Sequence, residues 1–385
     1  MKKTILLAVS GSIAFYKAYE LISLFKKEKI RVKVLLSQGL LKFANKISFE
    51  ALADEILCEE NENWESKKNH IDFSKDCDLV LFAPASVNSI NKLALGIADN
   101  LFIQTLIACN KPLIITPAAN TNMYHHFSTQ NSLKLLQKNK ALIIPPISKV
   151  LACKDEGVGA LAEVEDIFNI TKRELFRKKF WLDKSVVISG GGTREKIDDV
   201  RCISNFSSGK MAKSIADAFY FLGSKVIFLS SIDFKTPYEI YKFENSKDLK
   251  ALLEKFCESD FLIMAAAVSD FIPRFQKGKI KKNQFSKGLD LHLKLNEDLL
   301  KNINFKGKKI GFKMEFDTEN AIENAKKSLV EKNLNLVCLN ILNKKNTFGS
   351  DQNEFYFISK DACEKSGLKD KKELAFDLVN WCEKL

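Results

Sequence analysis

A chain of 385 residues with no C-x-x-C pair, no G-x-G-x-x-G segment and only four histidines lacks the usual apparatus of several chemistries. The first absence removes zinc and redox centres of the C-x-x-C type, and the second removes the glycine fingerprint of a dinucleotide-dependent oxidoreductase. No apolar run approaches the roughly 18 to 20 residues that span a bilayer. Met1-Lys2-Lys3 leads into Ser10-Gly11-Ser12 with no cleavable-signal pattern. The expectation is a cytoplasmic protein with no membrane partner. Its nine cysteines stand singly, an odd number that fits reduced thiols rather than a disulfide framework.

Hydrophobic residues make up 46% and charged residues 28%, a globular composition. The length favours two domains, because single cores stop growing beyond about 250 to 300 residues. Lysine and arginine total 60 against 48 acidic residues, a net charge of +12. A nucleic-acid partner would exploit such a charge. The lysines, however, are spread through both halves and mixed with glutamate, as in Phe25-Lys26-Lys27-Glu28-Lys29. They read as solvated helix faces; no nucleic acid is expected, and the surplus suits an acidic, phosphorylated small substrate.

The first half repeats a short β-branched or leucine-rich run, a few small residues and a helix-period segment. Strands are predicted at 4–9, 31–36, 78–83, 112–116 and 141–144, and the spacing of Val87, Ile90, Leu93, Ala94, Ile97 and Leu101 predicts helix across 86–109. Alternation of this kind implies a parallel sheet covered on both faces. A charged, helix-prone stretch at 170–184 marks a boundary, after which the pattern restarts. Strands follow at 185–189, 225–229, 261–265, 308–313, 335–339 and 354–358, with helices at 210–222, 248–257 and 371–383. Between 270 and 296 the periodicity fails and Lys277, Lys279, Lys281, Lys282 and Lys287 crowd together, which reads as a mobile basic loop. The fold class is α/β, with two tandem Rossmann-like domains at 1–175 and 183–385.

In open parallel sheets ligands sit beyond the carboxyl ends of the strands, where helix N-termini offer free N–H groups to phosphate. Val9-Ser10-Gly11-Ser12-Ile13 and Ala83-Pro84-Ala85-Ser86 are such turns. Their small residues and hydroxyls suit the phosphate and ring of FMN, and equally an ordinary tight turn. His70 lies in a polar segment ahead of a predicted strand, where a bland surface role competes with an acid-base one. Cys153 sits in Leu151-Ala152-Cys153-Lys154-Asp155-Glu156-Gly157, beside a lysine that would favour its thiolate. Asn120, after another strand end, supplies an amide able to orient a carbonyl or carboxylate. Gly209-Lys210 is not a Walker lysine, since Ser204 and Met211 stand where that motif needs glycine and a hydroxyl residue.

Ser10-Gly11-Ser12-Ile13-Ala14, His70-Ile71, Ala83-Pro84-Ala85-Ser86, the stretch 117–124 and Ala152-Cys153 resemble, in order and spacing, the flavin-dependent cysteine decarboxylases. In the second half, Thr193-Arg194-Glu195, the string from Arg201 through Ile203-Ser204-Asn205 to Gly209-Lys210-Met211, Ala265-Ala266-Ala267-Val268-Ser269-Asp270, Lys279-Ile280-Lys281-Lys282 and Thr347-Phe348-Gly349-Ser350-Asp351 resemble phosphopantothenate-cysteine ligases. The whole chain is similar to the bifunctional family that joins these two enzymes in coenzyme A synthesis.

The resemblance implies a flavodoxin-like, flavin-binding decarboxylase domain followed by a CTP-dependent ligase domain. In the first, Gly11, Ser12, Ile13, Ser37 and Ser86 would hold FMN, and Met123 and Ala152 would line the substrate site. His70 would act in oxidation and decarboxylation, Asn120 would hold the substrate carboxylate, and Cys153 would donate a proton. In the second, 4'-phosphopantothenate and L-cysteine would be joined through an acyl-cytidylate handled by Asn205. There Lys279 would neutralise charge, with Ala266, Asp270, Lys282, Phe312 and Lys332 lining the site and Mg²⁺ bridging the triphosphate of CTP. A homo-oligomer, a dodecamer of trimeric decarboxylase and dimeric ligase units, is also implied. Ala119, Lys154, Gly192 and Ser328 depart from the family pattern, and a decarboxylase with an inactive or regulatory second domain is the alternative.

Overall fold

The computed structural model describes residues 3–150, 156–281, 288–316, 319–342 and 349–385. It divides into two compact units, Met1–Leu175 and Phe176–Leu385. In the first, Thr4–Val9 (β1), Arg31–Leu36 (β2), Glu55–Leu57 (β3), Leu79–Ala85 (β4), Leu113–Pro117 (β5) and Leu142–Ile143 (β6) form one sheet. Their order is β3-β2-β1-β4-β5-β6, with every pairing parallel. β1 and β4 are buried along their whole lengths. Helices cover both faces, which is why these strands read as continuous apolar runs rather than alternations. On one face Leu6, Ala8 and Phe82 pack with Ile90, Phe102 and Leu106.

The helix expected across 86–109 is two helices. Val87–Leu95 stops at Gly96, which is left-handed at φ +70°, and Leu101–Ala108 starts afresh where the Asn100 side chain accepts from the Ile103 N–H. An antiparallel hairpin, Ile147–Val150 (β7) with Glu156–Ala160 (β8), follows β6.

The second unit contains Ser185–Gly190 (β9), Arg194–Lys196 (β10), Cys202–Ser204 (β11), Lys225–Ser230 (β12), Glu239–Lys242 (β13), Phe261–Met264 (β14), Phe271–Pro273 (β15), Leu293–Leu295 (β16), Lys308–Glu315 (β17), Leu336–Ile341 (β18), Gln352–Asn353 (β19), Tyr356–Ile358 (β20) and Cys363–Lys365 (β21). Eight of these make a sheet ordered β13-β12-β9-β14-β17-β18-β20-β21, parallel as far as β18 and antiparallel beyond. The stretch 270–296 is not one continuous loop. β15 and β16 pair as an antiparallel ribbon, and Gln276 donates its N–H to the Ile197 carbonyl. Residues 282–287, which include Lys282, lie outside the described residues. Among the described residues no helix is long and apolar enough to cross a membrane.

Trp181 organises the core of this second unit. It is fully buried, with its ring 5.0 Å from Phe219 on the helix Lys210–Phe221 and 5.2 Å from Phe261 on β14. Its indole N–H donates to Glu383 at 2.6 Å, and the same carboxylate takes Lys178 at 2.7 Å. A Trp181→Ala substitution removes the packing centre and strands a carboxylate partner. It should lower the stability of this unit by about 3 to 5 kcal/mol, read as a fall in the urea midpoint of its transition; an unchanged midpoint would show that the core does not depend on this ring.

Candidate active sites

Strand order in the first sheet reverses between β1 and β4, so the chain leaves these neighbours toward opposite faces and a crevice opens beyond their carboxyl ends. Ser10, just past β1, is buried there. Its hydroxyl donates to the Pro84 carbonyl at 2.9 Å and accepts from the Ser86 N–H at 2.7 Å, tying the two turns together. Gly11 lets a third turn approach: a Cβ at that position would lie 2.8 Å from the Gly39 carbonyl carbon and oxygen.

Each turn then opens a helical segment. The Ser12 hydroxyl accepts from the Ala14 N–H at 3.4 Å and that of Ser37 from the Leu40 N–H at 3.2 Å. Ser86 precedes Val87–Leu95, and the Asn120 side-chain Oδ1 accepts from the Asn122 N–H at 2.9 Å to open Thr121–His125. These turns surround one cavity of about 990 Å³, near the upper end of the roughly 300 to 1,000 Å³ of small-molecule sites. Gly11, Ser12, Ile13, Ser37, Ser86, Asn120 and Met123 all line it. Phe43, Val87, Phe102 and Leu161 add apolar wall, while Lys17, Lys42, Lys92 and Lys149 outnumber Glu59. Hydroxyls and helix N-termini suit a phosphate, the apolar walls suit a planar ring, and FMN carries both.

His70 does not line this cavity. It opens the helix His70–Lys75, where the Asn69 side chain accepts from the N–H groups of Ile71 and Asp72, each at 3.0 Å. The imidazole Nδ1 lies 3.2 Å from Glu62 Oε1, and the ring stands edge-on to Trp64 at 5.4 Å. Ala152 and Cys153 lie outside the described residues. On either side of them, Val150 and Gly159 line the cavity, and the Gly159 carbonyl accepts from the Ala119 N–H at 2.9 Å.

In the second unit the order reverses between β9 and β14. Beyond these strands the Ala267 N–H donates to the Gly191 carbonyl at 2.8 Å and the Thr193 N–H to the Ala267 carbonyl at 3.1 Å. The Asn205 amide donates to the Val268 carbonyl at 3.0 Å, and the Ala266 N–H to the Ser189 hydroxyl at 3.2 Å. Asn205 and Ala266 are thereby gathered at one crevice, and Asp270, two residues beyond Val268, is exposed. Phe312, half-buried on the adjacent β17, stands edge-on to Phe355 at 5.5 Å. Lys332 is not brought there. It follows Ala321–Glu331 at the amino end of the strands, pairs with Asp298 at 2.8 Å, and gives its carbonyl to the Lys309 ammonium near the start of β17.

Lys279 is exposed, but the backbone on both sides of it is fixed to the turn 197–201. Asp199 exchanges bonds with Gly278, its carboxylate accepting at 2.7 Å and its N–H donating at 3.3 Å. The Asp198 carboxylate accepts from the Ile280 N–H at 3.1 Å, and the Arg201 guanidinium donates to the Ile280 carbonyl at 3.1 Å. Burial opposes the Asp198 charge, yet the N–H groups of Val200, Ile280 and Arg201 outweigh it and hold that carboxyl below its usual range. Sequence reasoning missed Asp198, Asp199 and Arg201 as supports of Lys279. The Asp-Asp-x-Arg spelling is visible, but its partners lie about 80 residues away.

Residues 1–176 match the family model described as Flavoprotein, and residues 181–385 match the DNA/pantothenate metabolism flavoprotein C-terminal domain. The chain is 33% identical over 389 residues to the coenzyme A biosynthesis bifunctional protein CoaBC of Haemophilus influenzae, covering 98% of this chain and 96% of that protein. It is also 33% identical over 391 residues to the CoaBC protein of Bacillus subtilis, with the same coverage of each. Among solved structures, the C-terminal domain of a coenzyme A biosynthesis bifunctional protein CoaBC is 30% identical with a TM-score of 0.43, covering 52% of this chain and 94% of that one. With relatives one-third identical along 98% of its length and a family model on each half, the chain belongs to the CoaBC family of coenzyme A biosynthesis bifunctional proteins.

Proposed function

We propose that residues 183–385 ligate 4'-phosphopantothenate to L-cysteine using CTP, and that residues 1–175 decarboxylate the product to 4'-phosphopantetheine with FMN. The observation that carries the reading is the convergence of the β1, β2, β4 and β5 turns on one cavity with hydroxyls, helix N-termini and apolar walls. Gly11, Ser12, Ile13, Ser37 and Ser86 would hold FMN there. When bound, FMN supplies the electron sink that lets the substrate thiol be oxidised and its neighbouring carboxylate leave. Asn120 and Met123 orient the cysteinyl end, and Asn120 is fixed by its bond to Asn122. His70 assists the first half of this sequence, and Cys153 protonates the carbon left by carbon dioxide, a placed general acid being worth ~10²- to 10⁴-fold.

In the ligase half the carboxylate of phosphopantothenate attacks the α-phosphate of CTP and pyrophosphate leaves; the cysteine amine then displaces CMP. Such chemistry rests on positioning and charge neutralisation. Asn205 handles the acyl-cytidylate and Lys279 neutralises negative charge, while Ala266, Asp270, Lys282 and Phe312 would line the nucleotide site. Mg²⁺ would accompany CTP and offset the charge of its triphosphate. Exposed apolar residues at the cavity, Ile13, Tyr16 and Met123, together with the position of His70 off its lining, support an assembly of copies, a dodecamer by family resemblance. The cytoplasm is the proposed compartment.

The purified protein should be yellow and release flavin on denaturation, while Gly11→Val, folded by circular dichroism, should lose the chromophore because no side chain fits against Gly39. A colourless parent that also refuses added FMN would overturn the first-half reading. For the second half, Asp198→Ala should free the backbone around Lys279 and raise the KM for CTP roughly tenfold or more, with flavin content unchanged. A parental KM for CTP would remove Asp198 from the positioning of Lys279.

A further inference from the structure

At the amino edge of the first unit's sheet two cysteines meet. Cys77 is buried two residues before β4, and Cys109 is half-buried at the end of Leu101–Ala108. Their sulfurs lie 3.8 Å apart across 32 residues of sequence. Both also approach one acceptor, the Ser74 carbonyl, Cys77 at 3.5 Å and Cys109 at 3.3 Å. The shared acceptor holds the two side chains turned toward each other.

The two thiols are not equivalent. The hydrogen bond between the two sulfurs, in which either can donate, acts together with Lys111 and Lys33 nearby to outweigh burial and bring the Cys109 thiol down to about 7. The same bond and burial push Cys77 upward. A half-buried, more acidic thiol beside a buried one is the arrangement of an attacking and a resolving cysteine.

We propose that Cys77 and Cys109 form a reversible dithiol–disulfide site that reacts with hydrogen peroxide. The Cys109 thiolate attacks one oxygen of the peroxide, the O–O bond breaks, and a sulfenic acid and hydroxide result. The Cys77 sulfur then attacks the Cys109 sulfur, the S–O bond breaks, and the departing oxygen takes the Cys77 proton as water. Two electrons pass from the thiol pair to one peroxide, whose oxygens both end at the level of water and hydroxide. Closing the gap from 3.8 Å to a disulfide of about 2.05 Å asks for about 1.8 Å, shared between two side chains.

The test treats the full-length folded protein with about one equivalent of hydrogen peroxide, blocks remaining thiols, and digests it without reductant for mass spectrometry. The expected product is a peptide pair joined through Cys77 and Cys109, two hydrogens lighter than the reduced peptides and separated again by dithiothreitol. In Cys77→Ser the resolving thiol is gone, so Cys109 should persist as a sulfenic acid that dimedone labels. A parent in which Cys109 stays reduced, or goes to the sulfinic acid without any Cys77–Cys109 link, overturns the proposal. So does a link that forms only after the protein has been denatured.

Discussion

Where the strand order of a parallel sheet reverses, the two central strands send their chains to opposite faces, and no crossover covers the gap beyond them. That uncovered edge is the constraint on which both halves of this protein depend. In the first unit it is managed by one buried hydroxyl: Ser10 bonds at once to the Pro84 carbonyl and the Ser86 N–H, so the turns after β1 and β4 cannot part. Gly11 against Gly39 then draws in the turn after β2. Helix N-termini from four strands are left facing one cavity, and a phosphate-bearing planar ligand is the guest whose chemistry answers both the donors and the apolar walls.

The second unit meets the same constraint differently. Its central strands are extended by backbone bonds between Gly191, Thr193 and Ala267, which close the floor of the crevice and carry Asn205 at its side. The basic segment around Lys279 would be costly to hold in one place by side-chain contacts alone, because lysine keeps its rotamer freedom. Instead the backbone is held, through Asp198, Asp199 and Arg201, and the ammonium is left to meet its partner. A fixed anchor with a free cationic tip fits the proposed role of Lys279, neutralising a charge that changes as pyrophosphate departs.

What was legible in the sequence was what is decided locally or by burial on both faces. Residues 4–9 and 185–189 are apolar throughout because helices cover both sides of β1 and β9. The turn chemistry of Ser10 to Ser12 and of Asn205 is spelled in adjacent residues. The break at Gly96 was hidden because Ile97 and Leu101 continue the apolar spacing across it, although Ile97 is exposed. β3, with only three residues, carries too little pattern to register, and the glycines of β8 argue against strand until the pairing with β7 is seen. The support of Lys279 by Asp198, and the pairing of Lys332 with Asp298, depend on partners remote in sequence.

The central claim is that one chain carries two consecutive reactions, each at the reversal point of its own sheet. It is tested most directly by incubating the flavin-loaded protein with 4'-phosphopantothenate, Mg²⁺, CTP and cysteine labelled in its carboxyl carbon, while following CMP and labelled carbon dioxide together. The account predicts equal final yields of CMP and carbon dioxide, with no carbon dioxide when CTP is omitted. Carbon dioxide released without CTP, or CMP accumulating with the carboxyl carbon retained in the product, would contradict it.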